Sequence, residues 1–138
     1  MYLVDTAVVS EARKGAKANP GVRDFFREAA KEDAALYLSA ITIGELRRGV
    51  EKIRHRGDED QAGKLERWLY RLSNDYAEAI LAFDAGMAQL WGHPRVPHPE
   101  NPLDKQIAAT ALIYDLGVVT RNTGHFEATG VRLLSPFR

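Results

Sequence analysis

The sequence predicts an α/β domain, three layers deep, with a central parallel sheet of four to five short strands covered by helices on both faces. Two observations predict it: short apolar runs of strand length alternate with longer segments of helical periodicity, and strands separated by helices pair in parallel through crossover connections. A third is size, since 138 residues can bury a real core and suit one domain over residues 1–138.

Tyr2-Leu3-Val4 is a short buried strand ending on a carboxylate, Asp5, and a brief helix from about Ala7 to Lys14 follows, with Gly15 as its cap. Asn19-Pro20 offers an N-cap and a proline in the first turn for a helix whose face carries Val22, Phe25, Phe26 and Ala29. Ala35 to Leu38 is a second strand, and Ile43, Leu46, Val50 and Ile53 mark the next helical stripe. The charged segment His55 to Asp60 is expected as a solvated turn before a helix from about Gln61 to Asn74, and Ala79 to Phe83 as a third buried strand. Asp84 caps a further helix. Prolines at 94, 97, 99 and 102 exclude regular structure until Pro102 itself starts a helix running to Leu116 and ending at Gly117. Val118-Val119-Thr120 is the fourth strand and Val131 to Leu134 the fifth.

Composition narrows the chemistry. With 45% hydrophobic and 28% charged residues the chain is neither disordered nor fibrous. Having no cysteine, it uses neither thiol nucleophiles nor thiolate metal sites, which suits a reducing compartment, and any metal must sit on oxygen or imidazole. No apolar run reaches the roughly 20 residues of a bilayer span, so a cytoplasmic protein without membrane contact is expected. Basic and acidic residues balance at 19 each, and nucleic acid would have to be held by a local patch. Arg47, Arg48, Lys52, Arg54, His55 and Arg56, opposed in that stretch only by Glu51, are such a patch or an ordinary solvated helix face.

In parallel sheets of this kind ligands bind beyond the carboxyl ends of the strands. Asp5 and Asn122 follow strands directly, and Glu45 and Asp104 lie in the first turns of helices. Asp104 is in line with Ile107, Ala108, Ala111 and Leu112 at offsets of 3, 4, 7 and 8, so it faces inward, where a carboxylate must be paired, hydrogen-bonded or metal-bound. Each acid has a plainer reading: Asn101 with Asp104 and Thr42 with Glu45 as capping boxes, Asp5 as a helix cap. Taken together, three acids at one edge repel unless a cation lies between them, and oxygen donors of this kind suit Mg²⁺ or Mn²⁺. His93 and His98 lack the spacing of a metal site.

The segments Tyr2-Leu3-Val4-Asp5-Thr6, Leu38 to Val50 around Glu45, Asp104 to Ala111, and Thr120-Arg121-Asn122-Thr123-Gly124-His125-Phe126 resemble, in order and spacing, the four motifs of the PIN domain. Within it they are similar to the VapC and FitB-like toxins of type II toxin–antitoxin pairs, and Leu133 to Phe137 resembles the usual chain end. The resemblance implies a PIN-like fold and a Mg²⁺- or Mn²⁺-dependent endoribonuclease. Asp5, Glu45 and Asp104 would be its catalytic acids and metal ligands, Asn122 a neutral ligand, and Thr6, Arg47, Arg48, Arg121 and Asn122 substrate contacts. It also implies a small VapB-like antitoxin, a homodimer and a higher-order complex with the antitoxin. Two positions depart from the pattern: Ala7 stands where Asn is usual, and Asn122 and His125 occupy the two places of which one is normally acidic. A catalytically weak RNA- or partner-binding module and a DNA nuclease are therefore the competing readings. A haloacid-dehalogenase-type phosphatase would need a second Asp at position 7, and a receiver domain an acidic pair after the first strand; neither is present.

Overall fold

A computed structural model describes residues 1–138. Five parallel strands, β1 (Tyr2–Val4), β2 (Leu36–Ser39), β3 (Ile80–Leu81), β4 (Gly117–Val119) and β5 (Leu133–Leu134), form one sheet in the order β3-β2-β1-β4-β5. Six α-helices cover it: α1 (Thr6–Ala12), α2 (Pro20–Lys31), α3 (Ala40–His55), α4 (Glu59–Asp75), α5 (Ala85–Gly92) and α6 (Pro102–Tyr114). The expected three-layer architecture is the one observed.

The pleat of β1 divides the core. Val4 faces one side, packing with Val8 and Val9 of α1, Val22 of α2, Leu46 and Val50 of α3 and Leu69 of α4. Leu3 faces the other, with Ile107, Ala108 and Ala111 of α6, Val118 and Phe126. Successive strand residues point to opposite faces, so a three-residue strand can serve both layers. Leu112, expected on the inward stripe of α6, is 40% exposed, because the row of Asp104, Ile107, Ala108 and Ala111 already spans the face toward the sheet.

Several boundaries move, each for a local reason. The expected turn at His55 to Asp60 shrinks to Arg56–Asp58: Gly57 adopts a positive φ of 92° that reverses the chain, and Asp58 caps α4 by accepting from Gln61 N at 3.1 Å. The third strand is two half-buried residues at the sheet edge, paired only to β2. The first helix ends at Ala12, short of Lys14, and Gly15, at φ 60°, opens a 3₁₀ turn to Lys17 instead of closing the helix. Gly117 does not end the last helix either. Asp115 takes the left-handed conformation at φ 54°, and Gly117 begins β4, where an added Cβ would meet the Tyr2 ring at 3.3 Å. β5 shortens to Leu133–Leu134.

Candidate active site

β1 is the centre of the sheet and the point where the winding reverses. After β1 the chain enters α1, whose Val8 and Val9 pack on one face. After β4 it turns to the opposite face, where Phe126 is buried. In this class of sheet the ligand crevice lies beyond the carboxyl ends of the strands at the switch point, here β1 and β4, and these strands are followed by Asp5 and Thr120.

Asp5 is 2% exposed. It caps α1, Oδ1 accepting from Thr6 N at 2.8 Å, while Oδ2 accepts from Thr120 Oγ1 at 2.8 Å. Burial lifts its carboxyl from the ordinary 3.8 to about 6; the Thr120 hydroxyl and the Thr6 amide pull it down, and the negative charges of Asp104 and Glu45 push it up. Asp5 thus caps a helix as the plainer reading has it, and also shares its electrostatic field with the two other acids.

Glu45 is not in a first turn. Ser39 is the N-cap of α3, accepting from Ile41 N at 3.0 Å, which puts Glu45 in the second turn. Instead of forming a capping box, Thr42 and Glu45 both meet Thr6: its hydroxyl donates to Glu45 Oε1 at 2.8 Å and lies 3.1 Å from Thr42 Oγ1. Asp104 lies in the first turn of α6, but Asn101 makes no side-chain cap there and sits at φ 52°. The partner of Asp104 is His125, whose Nδ1 is 2.7 Å from Asp104 Oδ2. Asn122 is exposed, and only its backbone is engaged, its N–H donating to Thr120 Oγ1 at 3.0 Å.

The acids are therefore neighbours without forming a closed cage, since no three His, Asp or Glu side chains gather around one ion-sized point. The donor chemistry nonetheless fits a hard divalent cation. None of Asp5, Glu45 or Asp104 forms an ion pair with lysine or arginine, and a buried carboxylate is pushed upward by two like charges, a strain that a cation relieves.

Of the six basic residues in the stretch from Arg47 to Arg56, Arg47 and Arg54 are paired with acids. Arg47 pairs with Glu66 at 2.6 Å and lies over the Tyr70 ring, while Arg54 bonds Glu51 at 2.6 Å, Glu66 at 3.1 Å and Glu59 at 3.3 Å. Hydrogen bonding from Arg47 and Arg54 holds the Glu66 carboxyl below its usual range. Opposing charge thus comes from α4 as well as Glu51, while Arg48, Lys52, His55 and Arg56 are exposed and pair with no acid. Arg121 is exposed, its guanidinium 4.7 Å from the centre of the Phe137 ring. A cavity of about 320 Å³ between α5, the proline-rich loop and α6, lined by Leu90, Trp91 and Leu112, includes none of the three acids.

Sequence reasoning missed the roles of two threonines and one pairing. Thr120 follows β4 as Asp5 follows β1, and Thr42 lies four residues before Leu46 on the buried stripe; both signals were present. The pairing of His125 with Asp104 crosses 21 residues and has no local signature.

The family model for the PIN domain matches residues 2–131. The chain belongs to the PIN-domain family. Among its relatives, toxin FitB of Neisseria gonorrhoeae is 35% identical over 147 aligned residues, covering 99% of both chains. The VapC ribonuclease Y4jK of Sinorhizobium fredii is 31% identical, covering 99% of this chain and 98% of the relative. The crystal structure of FitAcB from Neisseria gonorrhoeae superposes with a TM-score of 0.82 at 33% identity, covering 99% of this chain and 98% of that one. As a PIN domain, the chain has the expected fold class.

Proposed function

We propose that this PIN domain is a metal-dependent endoribonuclease and the toxin of a toxin–antitoxin pair, hydrolysing RNA phosphodiester bonds at the crevice between β1 and β4. One observation carries the reading: the buried Asp5 carboxylate sits at the switch point of the sheet, raised to about 6 by burial and by two neighbouring acids, with no lysine or arginine paired to any of the three. Asp5, Asp104 and Glu45 would hold Mg²⁺ or Mn²⁺, with Asn122 contributing a neutral oxygen. When bound, such an ion polarises the scissile phosphate and lowers the pKa of an attacking water.

The residues of the chain do the positioning. Thr120 and the Thr6 amide hold the two Asp5 oxygens, and Thr6 holds Glu45. Arg48 and Arg121 are exposed and available to backbone phosphates, whereas Arg47 is committed to Glu66. The relatives named toxin and ribonuclease, and the solved FitAB and VapBC structures, support a small VapB-like antitoxin as partner. The same reading has the protein acting in the cytoplasm as a homodimer, joined with its antitoxin in a larger complex.

Purified protein should cleave RNA in Mg²⁺ or Mn²⁺, and EDTA or Asp5→Asn should abolish cleavage while circular dichroism stays unchanged. A second reading has one observation in its favour: the last motif offers Asn122 and His125 and no acid. A protein that binds RNA or antitoxin but cuts nothing across a broad screen of metals and RNAs would establish this non-catalytic reading. Preferential cleavage of DNA would replace the ribonuclease with a DNA nuclease.

A further inference from the structure

His125 occupies one of the two motif positions of which one is normally acidic, and its side chain is not idle. Nδ1 lies 2.7 Å from Asp104 Oδ2, in the range of a charge-assisted hydrogen bond. Both ends of this contact are mounted on fixed structure. Asp104 is on α6, which buries Ile107, Ala108 and Ala111 against the sheet. His125 precedes Phe126, which is 0% exposed and packs in that same cluster, and the backbone of the turn is tied by His125 N to Asn122 O and Phe126 N to Thr123 O, both at 3.0 Å. The helix carrying the acid and the turn carrying the imidazole thus share one core.

We propose that His125 is a positioning residue for metal binding: its Nδ1–H donates to Asp104 Oδ2 and fixes the rotamer in which the other oxygen of that carboxylate is presented to the site. The inference rests on Asp104 being a metal ligand, as proposed above. An exposed histidine–carboxylate pair is ordinarily a weak surface contact. This one differs because the helix that carries Asp104 and the turn that carries His125 are held in one core, so the 2.7 Å contact is made between fixed supports. Hydrogen bonds that orient metal ligands typically govern affinity by about 10–100-fold. The last motif then serves the site by holding the acid of another motif instead of offering one of its own.

The test is Mn²⁺ binding to the intact protein, followed by the EPR signal of free Mn²⁺, on wild type, His125→Ala and His125→Asn, with a thermal melt of each. Wild type should bind. His125→Ala should lose about 10–100-fold in affinity with the melting temperature of the metal-free protein little changed, and His125→Asn, which restores an N–H donor near the Nδ1 position, should recover most of it. Pulsed EPR of the wild-type complex should show no imidazole ¹⁴N coupling. Equal affinity in wild type and His125→Ala would overturn the inference alone. So would a ¹⁴N coupling that disappears in His125→Ala, since His125 would then be a ligand itself. A wild type that binds no Mn²⁺ would overturn the metal-site reading and this inference with it.

Discussion

Replacing Asp5 by asparagine should make the metal-free protein more stable at neutral pH. In the folded state the Asp5 carboxyl titrates at about 6, against 3.8 ordinarily. Between those values the native chain holds a proton that the unfolded chain has released, so the free energy of unfolding falls as pH rises across that window. The stability associated with protonated Asp5 is fully present below pH 4 and lost as pH passes through 6. The shift corresponds to about 3 kcal/mol at pH 7. Asparagine keeps the shape and the acceptor for Thr6 N, but its amide N–H₂ faces Thr120 Oγ1, which must turn its own proton elsewhere, costing about 1 kcal/mol. The net gain is about 2 kcal/mol, or a rise in melting temperature of about 6–10 °C for a chain of this size. Melts of wild type and Asp5→Asn in EDTA from pH 4 to 8 should show the gap opening between pH 4 and 6 and constant above about 7. A gap independent of pH, or a variant less stable than wild type at pH 7, would refute the claim that Asp5 carries a buried, destabilising charge.

Two further outcomes test other parts of the structure. In salt-dependent RNA binding, Arg48→Ala should weaken affinity and reduce the salt slope by about 1, whereas Arg47→Ala, whose charge already serves Glu66, should leave the slope unchanged. Gly21→Ala should destabilise by about 2 kcal/mol or more, measured by urea unfolding, because the new Cβ would collide with the backbone oxygen of Pro136 and break the seat of the C-terminal segment on α2.

Legibility in the sequence followed the range of the interactions. Asn19-Pro20, Asp84 and the Leu46–Val50 stripe announce their helices because caps and apolar periodicity are written within a few residues, and each was observed. Asp58 was readable in the same way, since an Asp three residues before Gln61 is an N-cap signal, yet the density of charge around it suggested a longer turn. The edge strand Ile80–Leu81 was overextended because an apolar run does not say how much of it finds a hydrogen-bonding neighbour. The Arg47–Glu66 and Arg54–Glu66 pairs join two helices of a hairpin, and a search for opposing charge along one helix cannot find them. Of the proposed site, Asp5 and Asp104 have local signatures, a strand end and an inward-facing helix position, whereas Glu45 was expected in a first turn and lies in the second. Their hydrogen-bond partners Thr120, Thr6 and His125 come mostly from other elements, and their roles emerged only with the fold.

The topology also explains why a change of residue type in the last motif leaves the site in place. Glu45 arrives on α3, from the layer packed on Val4, and Asp104 on α6, from the layer packed on Leu3. Asp5 lies between the two layers at the strand from which the winding diverges. These placements depend on the sheet order and on the two cores, neither of which involves the side chains of Asn122 or His125. What those two residues leave out is a fourth negative charge, since the site holds three carboxylates and no lysine or arginine paired to them. Such a site repels a phosphate backbone until something neutralises it. On the proposed reading, the divalent ion that the acids hold is also what admits the substrate, and the substrate phosphate supplies negative charge in place of the fourth acid. Anything that binds two partners of opposite charge at one point must bind each more tightly in the presence of the other, so RNA affinity and metal affinity in this protein form one linked equilibrium.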